Sequence, residues 1–108
     1  MNTSPNADAC VVYVTCTNAE EARVIADALV EERLAACVNI VPGIESVYWW
    51  EGAVQRDREL LLVVKTRPAK LDALTNRVKA LHSYTVPEVI ALPVQYGSSD
   101  YLAWIGQS

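Results

Sequence analysis

The segment 59–66 restricts the possible folds of this chain more than any other stretch. It runs Glu-Leu-Leu-Leu-Val-Val-Lys-Thr, which is typical of a β-strand. Because successive side chains of a strand point to opposite faces, Leu60, Leu62 and Val64 share one face while Leu61 and Val63 share the other. Leaving several such side chains in water would forfeit several kcal/mol at about 25 cal/mol per Å². We therefore expect helices on one face of the sheet and a second copy of the chain on the other.

Hydrophobic periodicity predicts the elements around this strand. The predicted strands span 10–16, 37–50, 59–66 and 88–96, the two long helices span 17–35 and 68–82, and a short C-terminal helix spans 100–105. The first helix opens with a capping-box pattern at Thr17 and Glu20. The resulting order, βαββαβ, is that of a ferredoxin-like α+β domain, in which an antiparallel sheet of strand order 4-1-3-2 carries both long helices on one face.

Small, polar and turn-forming residues predict the limits of the domain and of its strands. Residues 1–9 are small and polar, so we expect a disordered lead-in before a single domain at 10–108. Pro42 and Gly43 interrupt the second strand and predict a kink or bulge there. Glu51-Gly52 and the polar residues at 55–58 predict a turn region that joins the second and third strands into a long hairpin.

Composition and charge exclude several classes of protein. Nine Lys and Arg against thirteen Asp and Glu give a net charge of −4, the wrong sign for a surface that binds nucleic acid. No run of about 18 apolar residues is present to cross a membrane, and residues 1–9 have neither the basic nor the apolar region of a secretion signal. Three cysteines are an odd number, so a disulfide framework is not expected. We therefore expect a cytoplasmic protein with free thiols.

Five sequence blocks closely resemble the CutA divalent-cation tolerance family. In chain order they are LAACVNIVPG at 34–43, SVYWWEG at 46–52, KT at 65–66, YTVPE at 84–88 and DYLAW at 100–104. They fall on the predicted elements, and the resemblance extends over nearly all of 10–105. It implies a cytoplasmic, ferredoxin-like homotrimer in which long hairpins join neighbouring subunits and helix-free sheet faces pack around a three-fold axis. This agrees with the two apolar faces of segment 59–66.

The resemblance also implies copper binding by a thiol at the end of the first strand and a histidine at the end of the second helix, here Cys16 and His82. The chain differs from the form of the motif with two consecutive histidines, because Leu81 precedes His82 and Ser83 follows it where proline is common. Topology gives an independent reason for the pairing, since the first strand ends at the edge where the second helix finishes. A thiolate and an imidazole suit copper(II) or zinc. Water, a backbone carbonyl, Glu88 or a second subunit would have to complete the coordination shell.

The remaining candidate residues have simpler interpretations. Cys10 lies six residues from Cys16 on one strand, about 20 Å away, and Cys37 lies at the opposite sheet edge, so both are interpreted as small buried apolar side chains. Apart from a conceivable Cys16–His82 nucleophilic pair, no catalytic or phosphate-loop motif indicates an enzyme. Four large aromatics are interpreted as core or interface anchors: Tyr48, Trp49, Trp50 and Trp104. Three charged residues are candidates for inter-subunit ion pairs or for a cleft lining: Glu51, Lys65 and Glu88.

Two hypotheses for function follow from these patterns. In the first, a non-enzymatic homotrimer binds copper(II), and other divalent cations such as zinc, through Cys16 and His82. In the second, the trimer is a signalling or scaffold module similar to the PII-type proteins. Its inter-subunit clefts would then bind a small ligand or a partner protein, and its thiols would be incidental. Neither hypothesis involves nucleic acid or a membrane.

Overall fold

The computed structural model describes residues 3–5 and 8–108. Within these ranges the strands are β1 (Thr3–Pro5), β2 (Cys10–Cys16), β3 (Cys37–Trp50), β4 (Ala53–Thr66), β5 (Ile90–Pro93) and β6 (Tyr96–Ser98). The α-helices are α1 (Ala19–Glu31), α2 (Leu71–Leu81) and α3 (Ser99–Gly106), and a 3-10 turn at Pro68–Lys70 leads into α2. None of the helices in the described ranges is long and apolar enough to cross a membrane.

The main sheet confirms the predicted ferredoxin-like topology. Its strand order is β3-β4-β2-β5, and every pairing is antiparallel. Strand β1 was not predicted, so the four predicted strands correspond to β2, β3, β4 and β5. Read from the β5 edge, their order in the sheet is the predicted 4-1-3-2. Strand β2 is central: it pairs along its whole length with β4, from Cys10 opposite Thr66 to Cys16 opposite Leu60, and its first half also pairs with β5.

The core lies between one face of this sheet and the helices α1 and α2. Every second residue of β2 is buried, from Cys10 to Cys16, and Leu62 and Val64 of β4 are completely buried beside them. The helices contribute buried side chains at helical spacing, namely Ala22, Ile25, Leu29, Leu74 and Val78. The alternate side chains of these strands belong to the opposite face and are partly exposed in the single chain. They are Val11, Tyr13 and Thr15 of β2 and Leu61, Val63 and Lys65 of β4.

The hairpin of β3 and β4 is more extensive than predicted. Both strands have 14 residues, and the longest dimension of the structure is 50 Å. The polar residues at 55–58, expected in a turn region, belong to β4. They are polar because the outer hairpin, residues 44–58 beyond the bulge, is largely exposed. The turn itself consists of Glu51 and Gly52, whose φ angles of 51° and 79° are typical of a type I′ turn.

The bulge predicted at Pro42 and Gly43 is confirmed. The register between β3 and β4 shifts between Val41 and Ile44. Gly43 has a φ angle of 78°, a conformation that residues with a side chain rarely adopt. The glycine therefore allows the extra residue of the bulge, and the hairpin continues beyond it.

Helix α1 begins later and ends earlier than predicted. Its N-cap is Asn18 rather than Thr17, and the Asn18 side chain accepts a hydrogen bond from the Glu21 amide. The helix ends at Glu31 because Arg33 adopts a left-handed φ of 61°, which breaks the helical repeat. Helix ends of this kind are usually marked by glycine, and no glycine is present here to indicate the end of α1.

The segment after β4 also differs from the prediction. The helix predicted over 68–82 is a 3-10 turn followed by α2, which ends at Leu81, so His82 is an extended C-cap. The strand predicted over 88–96 is two short strands in different sheets, since β5 joins the main sheet while β6 pairs with β1. Pro93 is the last residue of β5, which is an edge strand of the main sheet and therefore tolerates proline.

The lead-in predicted over 1–9 lies partly outside the described residues, because residues 1, 2, 6 and 7 are not among them. Within them, Thr3–Pro5 pairs with Tyr96–Ser98. Ala9 is buried, and its carbonyl accepts a hydrogen bond from the Val94 amide. The structure therefore differs from a disordered lead-in at these positions, since pairing through backbone groups does not require apolar side chains.

We expect Leu29→Ala to lower the free energy of unfolding by about 2–5 kcal/mol, the range for truncating a buried leucine, because Leu29 is completely buried in the core. Its neighbour Val30 is 42% exposed, so Val30→Ala is the matched control and should change that free energy by less than about 0.5 kcal/mol. Urea denaturation at fixed protein concentration measures both variants. Equal effects would show that the core does not lie on this face of α1.

Candidate metal centre

Cys16, Glu21 and His82 meet at one end of the main sheet. Cys16 is the last residue of β2, Glu21 lies in the first turn of α1, and His82 caps the C-terminus of α2. One ligand atom from each residue lies within 4.8 Å of the others. The two side chains that the topology was expected to bring together, Cys16 and His82, therefore do lie together, with a carboxylate beside them.

The Cys16 thiol is completely buried. Burial, together with the negative charges of Glu21 and Glu59, raises the pKa of Cys16 to about 12. The group is therefore a protonated thiol at neutral pH. A coordinated cation is the kind of partner that removes such a proton.

The Glu21 carboxylate accepts hydrogen bonds from two separate segments. Its Oε2 atom accepts from the Thr17 amide at 2.8 Å and from the Thr17 hydroxyl at 2.9 Å, and its Oε1 atom accepts from the Ser83 amide at 2.6 Å. Burial by itself would raise the pKa of Glu21, but these hydrogen bonds outweigh it and lower the pKa to about 2. Glu21 therefore carries a fixed negative charge beside the thiol.

The His82 side chain is buried, and both of its ring nitrogens have backbone partners. Nε2 lies 2.7 Å from the carbonyl oxygen of Thr15, and Nδ1 accepts a hydrogen bond from the Tyr84 amide at 3.0 Å. Because a carbonyl oxygen can only accept, Nε2 carries the proton of the neutral ring and Nδ1 carries the lone pair. The Nδ1 atom lies 3.7 Å from Oε1 of Glu21.

These three residues fit a borderline divalent cation. Thiolate sulfur, imidazole nitrogen and carboxylate oxygen are all ligands of zinc and copper. Nitrogen and oxygen ligands of one tetrahedral ion are about 3.4 Å apart, close to the 3.7 Å between His82 Nδ1 and Glu21 Oε1. Donation of the other ring N–H to a carbonyl, as from His82 to Thr15, is also usual for a metal-ligating histidine.

Glu21 is the member of the cluster that the sequence patterns did not indicate. With the N-cap placed at Thr17, Glu20 became the capping-box residue and Glu21 had no assigned role. With Asn18 as the N-cap, Glu21 is the third helical residue, the position from which a glutamate side chain turns back toward the preceding loop. A correct cap assignment directly after the strand that ends in Cys16 is the signal that would have identified it.

The other candidate residues lie outside the cluster. Cys10 is buried at the opposite end of β2, and Cys37 begins β3 at that same end. Glu88, considered as a further ligand, is exposed and does not belong to the cluster. Glu51 forms the hairpin turn, and Lys65 lies on the open face of β4.

The fold and the cluster together define a ferredoxin-like protein with a candidate cation site between the end of its central strand and its two long helices. The chain belongs to the CutA1 divalent ion tolerance protein family, whose model matches residues 10–108. The family resemblance indicated by the five sequence blocks is therefore confirmed.

Individual relatives agree with this assignment. The chain is similar to protein CutA 1, chloroplastic, of Oryza sativa subsp. japonica, with 58% identity over 107 residues, which is 99% of this chain and 60% of the rice protein. It is 57% identical over 98 residues to the divalent-cation tolerance protein CutA of Thermus thermophilus, which is 91% of this chain and 95% of that protein. The crystal structure of CutA1 from Oryza sativa matches with a TM-score of 0.91 at 58% identity, covering 96% of this chain and 95% of that one.

We expect Glu21→Gln to lower the free energy of unfolding at pH 7 by about 3 kcal/mol, since a tenfold change in proton affinity is worth about 1.4 kcal/mol. The pKa of Glu21 is lowered from 4.5 to about 2 by folding, so its contribution is fully present above pH 4.5 and is lost as the pH falls toward 2. Denaturant titrations across this range should therefore give a flatter pH profile for Glu21→Gln.

The matched control for this variant is Glu20→Gln, which removes an exposed carboxylate from the same helical turn. We expect Glu20→Gln to keep the pH profile of the wild type. If the two variants give the same profile, the hydrogen bonds to Glu21 do not stabilise the folded state as described.

Proposed function

We propose that this protein is a non-enzymatic, cytoplasmic homotrimer that binds divalent cations through Cys16, Glu21 and His82, with copper(II) and zinc as the cations best matched to these donors. The observation that carries the proposal is the meeting of three donor side chains, from three separate elements, within 4.8 Å of one another. Membership of a divalent ion tolerance family supports it. The three free cysteines are in keeping with a reducing compartment.

Each of the three residues has a distinct part in the proposed site. Glu21 provides a charge that is already present at neutral pH, Cys16 binds as a thiolate after losing its proton, and His82 binds through Nδ1. A bound cation would supply the positive charge that offsets the carboxylate and the thiolate. Binding should therefore release about one proton, which comes from the thiol.

The same geometry supports a non-enzymatic role. A nucleophilic cysteine reacts as a thiolate, which needs a nearby base or a positive charge. The charges of Glu21 and Glu59, together with burial, keep the Cys16 thiol protonated. The cluster is thus better suited to coordinate a cation than to attack a substrate.

We expect isothermal titration calorimetry to show one copper(II) or zinc ion bound per chain. Cys16→Ser and Glu21→Gln should each weaken binding by at least about tenfold, the lower limit even for losing an outer-shell partner of a metal site. Cys10→Ser is the matched control, because it removes a buried thiol from the other end of the same strand and should leave the affinity unchanged. Equal binding by all four proteins would contradict the proposal and favour the signalling or scaffold module with incidental thiols.

The proposed trimer is supported by apolar surface that the single chain leaves uncovered. The open face of the main sheet carries partly exposed Leu61 and Val63. Four large aromatics of the hairpin and tail are between 40% and 70% exposed: Tyr48, Trp49, Trp50 and Trp104. Apolar surface of this extent is typical of an interaction site, and association between copies would cover it.

We expect multi-angle light scattering of the wild type to give about 36 kDa, three times the chain mass of 11.9 kDa. Leu61→Lys places a charge on the open face and should lower the measured mass, because burying an unpaired ammonium is strongly unfavourable. Val24→Lys, on a half-exposed position of α1, is the control and should leave the mass unchanged. A wild-type mass near that of one chain at micromolar concentration would overturn the trimer.

A further inference from the structure

Two consecutive backbone amides already occupy the acceptor atoms that a cation would use. The Ser83 amide donates to Oε1 of Glu21 at 2.6 Å, and the Tyr84 amide donates to Nδ1 of His82 at 3.0 Å. These acceptors are the two atoms that lie 3.7 Å apart in the candidate centre. The segment Ser83–Tyr84 therefore presents two positive N–H dipole ends to the same atoms that would bind a positive ion.

At His82, the Tyr84 amide and a cation compete for one and the same lone pair. A neutral imidazole with its proton on Nε2 has a single lone pair on Nδ1, so the Tyr84 amide and a metal ion exclude each other at His82. The Ser83 amide is the adjacent donor in the chain and moves with the Tyr84 amide. Binding through His82 therefore requires the segment to leave its present position.

Tyr84 also connects this segment to the hairpin. Its ring centroid lies 5.0 Å from that of His82 at a tilt of 42°, and its hydroxyl donates to Oε2 of Glu59 at 3.4 Å. Glu59 is a buried carboxylate on β4, paired with Ile44 at the point where the bulge ends. Movement of Tyr84 would thus remove a contact at the base of the outer hairpin.

We propose that the Ser83–Tyr84 segment is an autoinhibitory lid on the candidate centre, which a divalent cation must displace in order to bind, and that this displacement breaks the Tyr84–Glu59 contact with the hairpin. The inference rests on the proposed cation-binding function. The apparent affinity equals the intrinsic affinity multiplied by the fraction of molecules whose lid is open. Any change that weakens the lid without touching a ligand should therefore tighten cation binding.

Tyr84→Phe tests the direction of this effect, because it removes only the hydroxyl that anchors the lid to Glu59. We expect zinc(II) to bind about two- to tenfold more tightly to this variant by calorimetry, the range that one net hydrogen bond provides. Tyr48→Phe is the matched control, since it removes a hydroxyl that bonds to Asp57 on the same hairpin, and it should leave the affinity unchanged. If Tyr84 merely supports the site, Tyr84→Phe will bind zinc equally or more weakly, and the lid is overturned.

Amide hydrogen exchange of the ¹⁵N-labelled full chain provides a second readout. After treatment with a chelator, the Ser83 and Tyr84 amides should be protected, and saturation with zinc should speed their exchange by at least about tenfold as the lid opens. The Ala36 amide, which donates to the Lys65 carbonyl at 2.9 Å, is the internal control and should not change.

The outcomes of the exchange experiment separate the lid from the proposed function. If calorimetry shows zinc binding and both amides keep their protection, the lid is overturned while cation binding stands. Rapid exchange of both amides in the chelator-treated protein would also overturn the lid. If calorimetry shows no zinc binding to the wild type or to Tyr84→Phe, cation binding itself fails and the lid fails with it.

Discussion

The alternation of side chains along β2 connects the packing of the core to the geometry of the candidate centre. The pairing that places Val12 and Val14 beneath the helices also places Cys16 on that face, at the strand's end. A slip of one residue against β4 or β5 would transfer the whole set to the opposite face. The strand register that places the core residues of β2 therefore also determines the position of the Cys16 thiol.

Folding raises the pKa of Cys16 but lowers the pKa of Glu21, although the two groups are neighbours. Burial keeps the Cys16 thiol neutral, whereas hydrogen bonds from Thr17 and Ser83 hold Glu21 in its charged form. A buried carboxylate without such partners would be strongly unfavourable. The donors come from the turn before α1 and from the segment after α2, and the second donor, Ser83, lies 62 residues beyond Glu21 in the chain. One carboxylate therefore joins two distant parts of the chain. Any ligand that competes for this carboxylate therefore acts on the connection between them.

The sequence predicted the topology, the bulge and the approach of Cys16 to His82, because each follows from hydrophobic period and strand order. It did not predict the role of Glu21, since a cap assignment displaced by one residue selects a different glutamate. The early end of α1 was hidden because Arg33 adopts the left-handed conformation without a glycine. Residues 55–58 were misassigned because a strand exposed on both faces has the same polar composition as a turn. Periodicity reports burial, and these features depend on backbone conformation and hydrogen bonding instead.

The outer part of the hairpin also has a consequence for folding cooperativity. Beyond the bulge its side chains are largely exposed, and its ion pair between Glu45 and Arg56, at 3.8 Å, joins two solvent-exposed groups and adds little stability. Segments with few buried contacts open at free energies well below that of global unfolding. In an isolated chain the outer hairpin is therefore a separate, weak folding unit. In the proposed trimer, packing of another copy against the outer hairpin would make it part of the cooperative core, so the rate of its local opening would report whether the chains have assembled.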